Sequence, residues 1–207
     1  DESERMMFVR EIGRALAAPR DPQVAVFLIG LLRSAGKSES VRALAPFLDD
    51  DPLFQPAAEA LEAIGGAEAE AALLRAIGHR RPDAAPVLAK SLGRLRSRAS
   101  AGALTRLAAD TDPRIREAAL DALAEIGSPA ARTLFGTVPL TAAPVERARA
   151  AARYMTYARR AFESWRDDEA ESICREFLES WIGPGEVHVR SSALVLLADI
   201  REAAVLD

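Results

Sequence analysis

Residue types that would point to particular chemistry are scarce in this chain of 207 residues. The single cysteine, Cys174, excludes an intramolecular disulfide and leaves the redox compartment undefined. The two histidines, His79 and His188, have no neighbours at the spacing typical of zinc ligands. Asparagine is absent, which removes any N-glycosylation acceptor. We therefore expect no metal, no cofactor and no catalytic thiol.

Long apolar runs and a strong charge imbalance are also lacking. The longest apolar run, Val24 to Leu32, falls far short of the roughly 20 residues of a membrane-spanning helix. A net charge of −4 disfavours a dedicated nucleic-acid binder. We expect a soluble protein, cytoplasmic or periplasmic. Because the first residue is Asp1, we also expect a processed or excised fragment of a larger protein.

Proline recurs with a regular period along most of the chain. Its periodic positions are Pro22, Pro52, Pro82, Pro113 and Pro144, at spacings of 30, 30, 31 and 31 residues. Proline fits the first turn of a helix, and Asp21, Asp51 and Asp112 stand before three of these prolines as N-cap candidates. The period therefore predicts a repeated helical unit.

Glycine follows three of these prolines after fourteen residues, at Gly36, Gly66 and Gly127. A residue with positive φ there would end a helix. The equivalent residue of the third unit is Arg96, which predicts a different turn with a contribution from Gly93. The additional prolines Pro56 and Pro86 predict that two first helices begin late.

Apolar residues between these markers follow helical spacing, and a second apolar segment comes after each helix stop. Each unit is therefore predicted to be a helix hairpin. A lone hairpin cannot bury its apolar face, so neighbouring units must stack. The predicted fold class is all-α, an α-α superhelix or solenoid of antiparallel helix hairpins.

The stretch from Asp112 to Gly127 resembles a bacterial HEAT repeat of the phycobilisome-lyase-like kind. The resemblance implies a HEAT/armadillo-like solenoid over residues 1–207, whose second helices line a concave face. The expected units are residues 1–18 (partial), 21–48, 51–78, 82–109 and 112–135.

The period is lost after Pro144. Residues 144–182 form a larger aromatic pair that resembles a tetratricopeptide hairpin, with one helix from Val145 to about Trp165 and a second from Glu169 to Ile182. Residues 187–202 resemble the first helix of another HEAT unit. The partner of that helix is expected to be missing or to begin at Ala203.

Basic residues are concentrated in the third unit. The segment from Arg75 to Arg106 carries eight basic residues against Asp83 alone. The charged residues of 38–72 show the reverse balance, with eight acidic residues against one arginine. The candidate partner-binding residues are Arg75, Arg94, Arg96, Arg98 and Arg106. Arg75, Arg98 and Arg106 are predicted to lie on second helices, and the other two at a hairpin turn. Such polarity could steer an anionic partner or orient self-association, or the arginines could simply be solvated.

Four further patterns have simpler structural interpretations. Gly36 to Ser38 lacks the first glycine of a phosphate-binding loop, because Leu31 occupies that position. Residues 49–51, three aspartates, suit a helix cap better than a calcium site. Cys174 is predicted to pack between Ile173 and Phe177. The aromatic residues of the C-terminal pair are expected mainly in the core, with a binding pocket as the alternative.

The sequence thus predicts a non-catalytic scaffold or assembly module that binds a protein or peptide. A helical-repeat DNA-binding protein or DNA glycosylase, suggested by Trp165, Trp181 and the arginines, is one alternative. A chromophore lyase subunit, suggested by the repeat resemblance, is another. The partner itself is not encoded in any recognisable motif.

Overall fold

The computed structural model describes residues 1–18, 21–78, 82–135 and 142–206, and within these ranges it contains helices and no strand. The α-helices are α1 (Glu2–Leu16), α2 (Pro22–Ala35), α3 (Val41–Leu44), α4 (Phe54–Ile64), α5 (Gly66–Gly78), α6 (Ala85–Arg94), α7 (Ala101–Leu107), α8 (Pro113–Ile126), α9 (Pro144–Phe162), α10 (Asp167–Ser180) and α11 (Val187–Leu206). The 3-10 helices are Ser38–Ser40, Ala45–Asp49, Arg98–Ser100, Pro129–Leu134 and Pro184–Glu186. The chain divides into two compact units, Asp1–Ala122 and Leu123–Asp207.

Helix starts follow the predicted capping at two of the three aspartates. The side chains of Asp21 and Asp112 each accept a backbone N–H two residues later, at 2.8 Å in both cases. The cap predicted at Asp51 is wrong, because α4 begins at Phe54. Its late start, and that of α6, confirm the effect expected of the extra prolines, which lie within the first turn of each helix.

Helix stops use glycine for two different reasons. Gly127 has φ +65°, as predicted for a helix stop. Gly36 has φ −77°, so the expectation of positive φ is wrong there. A Cβ at Gly36 would lie 2.4 Å from the Leu32 carbonyl oxygen, which means that close approach is what requires glycine. The stop of α4 is Gly65, one residue before the predicted Gly66.

The third unit makes its turn without glycine. Arg96 adopts φ +51°, and its neighbour Ser97 donates its N–H to the Leu92 carbonyl at 3.0 Å, as in a Schellman motif. The turn is therefore of the ordinary kind, with the strain carried by arginine. Gly93 has a different role from the predicted one, because a Cβ there would lie 2.8 Å from the Ala122 Cα atom. It allows close contact between α6 and α8.

Unit 1 consists of two layers of helices. The first layer is α2, α4 and α6, which pack in that order, and the second layer is α3, α5 and α7 with their flanking 3-10 helices. Fully buried leucines recur in both layers: Leu32, Leu61 and Leu92 in the first, and Leu44, Leu73 and Leu104 in the second. Because these leucines occupy equivalent positions, they fix which surface residues correspond between repeats.

Second elements are less regular than the predicted hairpin helices. The one in the first repeat is a 3-10 helix, the four-residue α3 and another 3-10 helix that contains Pro46. The corresponding element after α8 is a 3-10 helix, Pro129–Leu134. Proline inside these segments removes a backbone donor and disfavours a continuous α-helix.

Unit 2 is built from α9, α10 and α11, which all pack against one another. The aromatic side chains of its core are Phe135, Tyr154, Tyr157, Phe177 and Trp181, all buried. Helix α9 ends at Phe162 and α10 starts at Asp167, two residues earlier than expected, with Arg166 at the N-cap position. Helix α11 continues to Leu206, so the prediction that a new helix begins at Ala203 is wrong.

The expected single solenoid over residues 1–207, with its unit boundaries, stays a prediction.

Candidate functional site

The five candidate arginines lie in three different environments. Arg94 ends α6 in the first layer, and Arg96 forms the strained turn. Arg75 lies on α5, while Arg98 and Arg106 lie on the 3-10 helix before α7 and on α7 itself, all in the second layer. Arg80, Arg81 and His79 fall outside the described residues. The set predicted from sequence is therefore divided between the two layers and the turn that joins them.

The arginines of the first layer, Arg33 and Arg94, are paired. Arg94 contacts Glu62 of α4 at 2.7 Å, and this hydrogen bond raises the pKa of the guanidinium. Ser91 donates to the same carboxylate at 2.9 Å. Arg33 of α2 contacts Glu59 of α4 at 3.4 Å. These contacts cross from helix to helix, so the first-layer arginines already have partners within the protein.

Arginines in the second layer lack such partners. Arg75, Arg98 and Arg106 are exposed, and none of them makes an ion pair or hydrogen bond with any residue of the described ranges. Arg42, which sequence analysis did not single out, shares this property. The sequence clue to Arg42 was its position on a second element. The many acidic residues near it in the sequence concealed this clue.

Three grooves run along the second layer. The first, about 630 Å³, lies between the end of α1 and α3, and the second, about 820 Å³, lies between α3 and α5. Arg42 lines both, so these two grooves adjoin. The third, about 660 Å³, is bordered by the end of α5 and by α7. Arg75 lines the second groove and Arg106 the third, so each stands beside an apolar depression.

Acidic residues also border these grooves. Asp49 and Glu68 line the second groove, and Asp110 lines the third. The Asp110 carboxylate accepts the backbone N–H of Asp112 at 2.8 Å. The grooves therefore offer both apolar surface and charge, without the uniformly basic character that nucleic acid requires.

Unit 2 contains a half-buried polar network around two tyrosines. The Tyr157 hydroxyl donates to Glu169 at 2.7 Å, and the Tyr154 hydroxyl donates to Glu176 at 2.9 Å. Burial, with these carboxylates, raises the pKa of each tyrosine to about 12. Arg166 ties the network to the α8 end by donating to the Gly127 carbonyl at 2.6 Å. The tyrosines thus serve packing and hydrogen bonding.

Cys174 and Trp165, both expected in the core, differ in their burial. Cys174 is fully buried together with Ile173 and Phe177, as expected, and burial raises the pKa of its thiol to about 11. Trp165 departs from the expected core position, because it is 83% exposed and has φ +59° in the turn after α9.

The described residues contain no cluster of His, Cys, Asp or Glu that could hold a metal ion. No helix in those same ranges combines the length and apolarity needed to cross a bilayer.

Residues 73–156 match a family model described as HEAT repeats. This part of the chain is similar to HEAT repeats. A crystal structure of an engineered protein, a Northeast Structural Genomics Consortium target, is similar with a TM-score of 0.50 and 20% identity over 94% of this chain and 89% of that chain. At this identity the likeness shows the fold alone, in agreement with the predicted all-α helical-repeat class. A comparison with curated proteins gives no match.

Proposed function

We propose that this HEAT-repeat chain is a non-catalytic scaffold that binds a protein or peptide on the second-layer surface of unit 1. HEAT repeats generally mediate protein interactions, which supports this role. The observation that carries the proposal is the contrast in pairing: Arg33 and Arg94 of the first layer have carboxylate partners, whereas the second-layer arginines do not. Unpaired guanidiniums beside apolar grooves are ready to engage a partner.

The resemblance to phycobilisome-lyase-like bacterial repeats extends this proposal to an accessory module of a larger bacterial protein. The tetratricopeptide-like interpretation of residues 144–182 fits a second helical surface in the same scaffold. A non-catalytic role is supported by the buried thiol of Cys174, whose raised pKa disfavours the nucleophilic thiolate.

The nucleic-acid alternative gains no specific support. Of the two tryptophans that suggested a glycosylase, Trp181 is buried against Phe177 and lies under the Arg147 guanidinium at 4.7 Å. Only Trp165 is accessible. The chromophore-lyase alternative rests on repeat resemblance, and fold alone is a poor guide to activity.

Site-specific photocrosslinking tests the scaffold role. A photoreactive amino acid replaces the exposed Thr105 of α7 in one variant and the exposed Lys90 of α6 in a matched control. The full-length protein is crosslinked in its native cells, and the adduct is identified and rebound as a purified protein. We expect a saturable, specific adduct from position 105 and not from position 90. Equal adducts, or adducts from position 90 alone, would overturn the proposal.

A further inference from the structure

Three second-layer arginines mark out a corner on the surface of unit 1. Arg75 and Arg106 each stand two residues after a fully buried leucine, Leu73 and Leu104, so they are equivalent positions of adjacent repeats. Packed helices lie about 10 Å apart, so the Arg75 and Arg106 positions are separated by a distance of this order. Arg98 precedes Arg106 by eight residues, which cross from the 3-10 helix into α7 and rise about 13 Å along the axis. We call Arg75, Arg98 and Arg106 the basic corner.

The surface enclosed by the basic corner is open and made of small residues. Gly102 lies midway between Arg98 and Arg106, four residues from each, and a Cβ there would meet no atom within 4 Å. The equivalent residue of the preceding repeat is Ala71, which is also exposed. Gly102 and Arg106 are four residues apart on α7 and therefore share one face of that helix. A partner backbone can therefore approach closely between the guanidiniums.

The carboxylates nearest the corner, Asp110 and Glu68, line the same grooves as Arg106 and Arg75 but form no ion pair with them. Asp110 caps the N–H of Asp112, and Glu70 accepts the Ser97 hydroxyl at 2.7 Å. Glu68 lies in the first turn of α5, two turns before Arg75. No acidic residue occurs from position 98 to position 109. The 3-10 helix and α7 therefore present positive charge alone.

We propose that the basic corner binds a short acidic segment of the partner protein in an extended conformation, an inference that rests on the proposed scaffold function. Two carboxylates of the segment bind Arg98 and Arg106 through bidentate hydrogen bonds, the geometry that guanidinium favours. A separation of about 13 Å corresponds to about four residues of a strand, which places both carboxylates on one side. The side chain midway between them packs over Gly102, and Arg75 of the preceding repeat adds electrostatic attraction.

The charge pattern favours an acidic peptide over nucleic acid. Asp49 and Glu68 line the adjoining groove and would repel a phosphate backbone that continued along the layer. A short acidic segment ends before it reaches them. Electrostatic attraction at the corner and repulsion beyond it together limit the length of the bound segment.

Fluorescence anisotropy with a defined probe tests this inference. The probe is a labelled nonapeptide with two glutamates about four positions apart, valine midway and serine elsewhere, and its matched control carries glutamine in place of glutamate. We expect the full chain to bind the glutamate peptide and not the glutamine peptide. The double variant Arg98→Glu, Arg106→Glu should lose affinity by about tenfold or more.

Two further variants separate recognition from folding. Lys90→Glu makes the same kind of charge reversal on the first layer and should leave the peptide affinity unchanged. Gly102→Leu places a large side chain on the open surface between Arg98 and Arg106 and should abolish binding. Circular dichroism and Tm should show an intact fold. Equal binding of both peptides, unchanged affinity in the double variant, or tighter binding of oligothymidine would each overturn the inference.

Failure here is distinguishable from failure of the scaffold role. A partner crosslinked at position 105 whose affinity does not respond to Arg98→Glu, Arg106→Glu would refute the acidic segment and leave the scaffold standing. Loss of the second-layer adduct altogether would refute the scaffold itself.

Discussion

The two layers of unit 1 carry arginine in different ways. In the first layer Arg33 and Arg94 reach across to carboxylates of α4, so their charge is satisfied inside the repeat stack. In the second layer Arg75 and Arg106 make no ion pair or hydrogen bond with any described residue. The number of basic residues in the sequence does not distinguish the layers. Their pairing does, and pairing depends on which helix of the neighbouring repeat faces them.

Gly93 and Gly102, one from each layer, differ in a similar way, although Gly30 of the first layer also faces open space. Gly93 of α6 lies against Ala122 with no space for a side chain, whereas Gly102 of α7 faces open space. One glycine therefore serves packing within the protein. The other leaves a surface uncovered at a cost in helix propensity.

The largest predicted change in stability is at Gly93, the glycine with no space for a side chain. Gly93→Ala should destabilise the protein by about 2 kcal/mol, because a Cβ at 2.8 Å from the Ala122 Cα atom forces two helix backbones apart. Urea denaturation measures the change in the free energy of unfolding. A neutral or stabilising result would show that the close contact of α6 and α8 is wrong.

Substitution of Gly102, which faces open space, should change the stability in the opposite direction. Gly102→Ala is expected to stabilise the protein by about 0.5 to 1 kcal/mol, since alanine has the higher helix propensity and its methyl group meets no neighbour. The same denaturation experiment applies, with Gly93→Ala as the reference. Destabilisation would mean that this face is covered within the protein.

The turn between the layers offers a third test. Arg96→Gly should destabilise the protein less than Arg98→Gly, by about 0.5 kcal/mol or more, because glycine adopts φ +51° without the steric cost that arginine bears. The matched variant Arg98→Gly, in a 3-10 helix with ordinary φ, should be destabilising. A loss of stability at position 96 equal to that at position 98 would argue against the strained turn.

The smallest effect concerns the charges themselves. Arg94→Gln should lower Tm slightly at low salt and less at high salt, because it breaks the contact with Glu62. Arg106→Gln should leave Tm unchanged at both salt concentrations. Equal sensitivity of the two variants in thermal denaturation would remove the distinction between a paired and an unpaired layer.

Sequence reasoning recovered the fold because its markers are local. Proline and aspartate at helix starts act through the backbone of their own turn, and the apolar period reports which face is buried. The positive φ of Arg96 was missed because arginine has no preference for that conformation. The role of Gly93 was missed because it depends on Ala122, which belongs to another repeat.

The candidate site was only partly accessible to such reasoning. The sequence singled out the basic third unit, and it assigned Arg75, Arg98 and Arg106 to second elements, where the structure has them. It could not show that Arg94 is held by Glu62, since that contact spans 32 residues. Arg42 was missed, and Trp165 was wrongly expected in the core, because the exposure of each side chain depends on the packing of surrounding elements rather than on its neighbours in sequence.

Isothermal titration calorimetry with the partner crosslinked at position 105 decides whether the second layer is the binding surface. The titration compares the wild-type chain with Arg75→Glu, Arg106→Glu and with Lys90→Glu, all at one ionic strength. Binding should weaken by about tenfold or more when the second-layer arginines are reversed and stay the same when Lys90 is reversed. Equal weakening by both changes, or loss of binding with Lys90→Glu alone, would contradict this assignment.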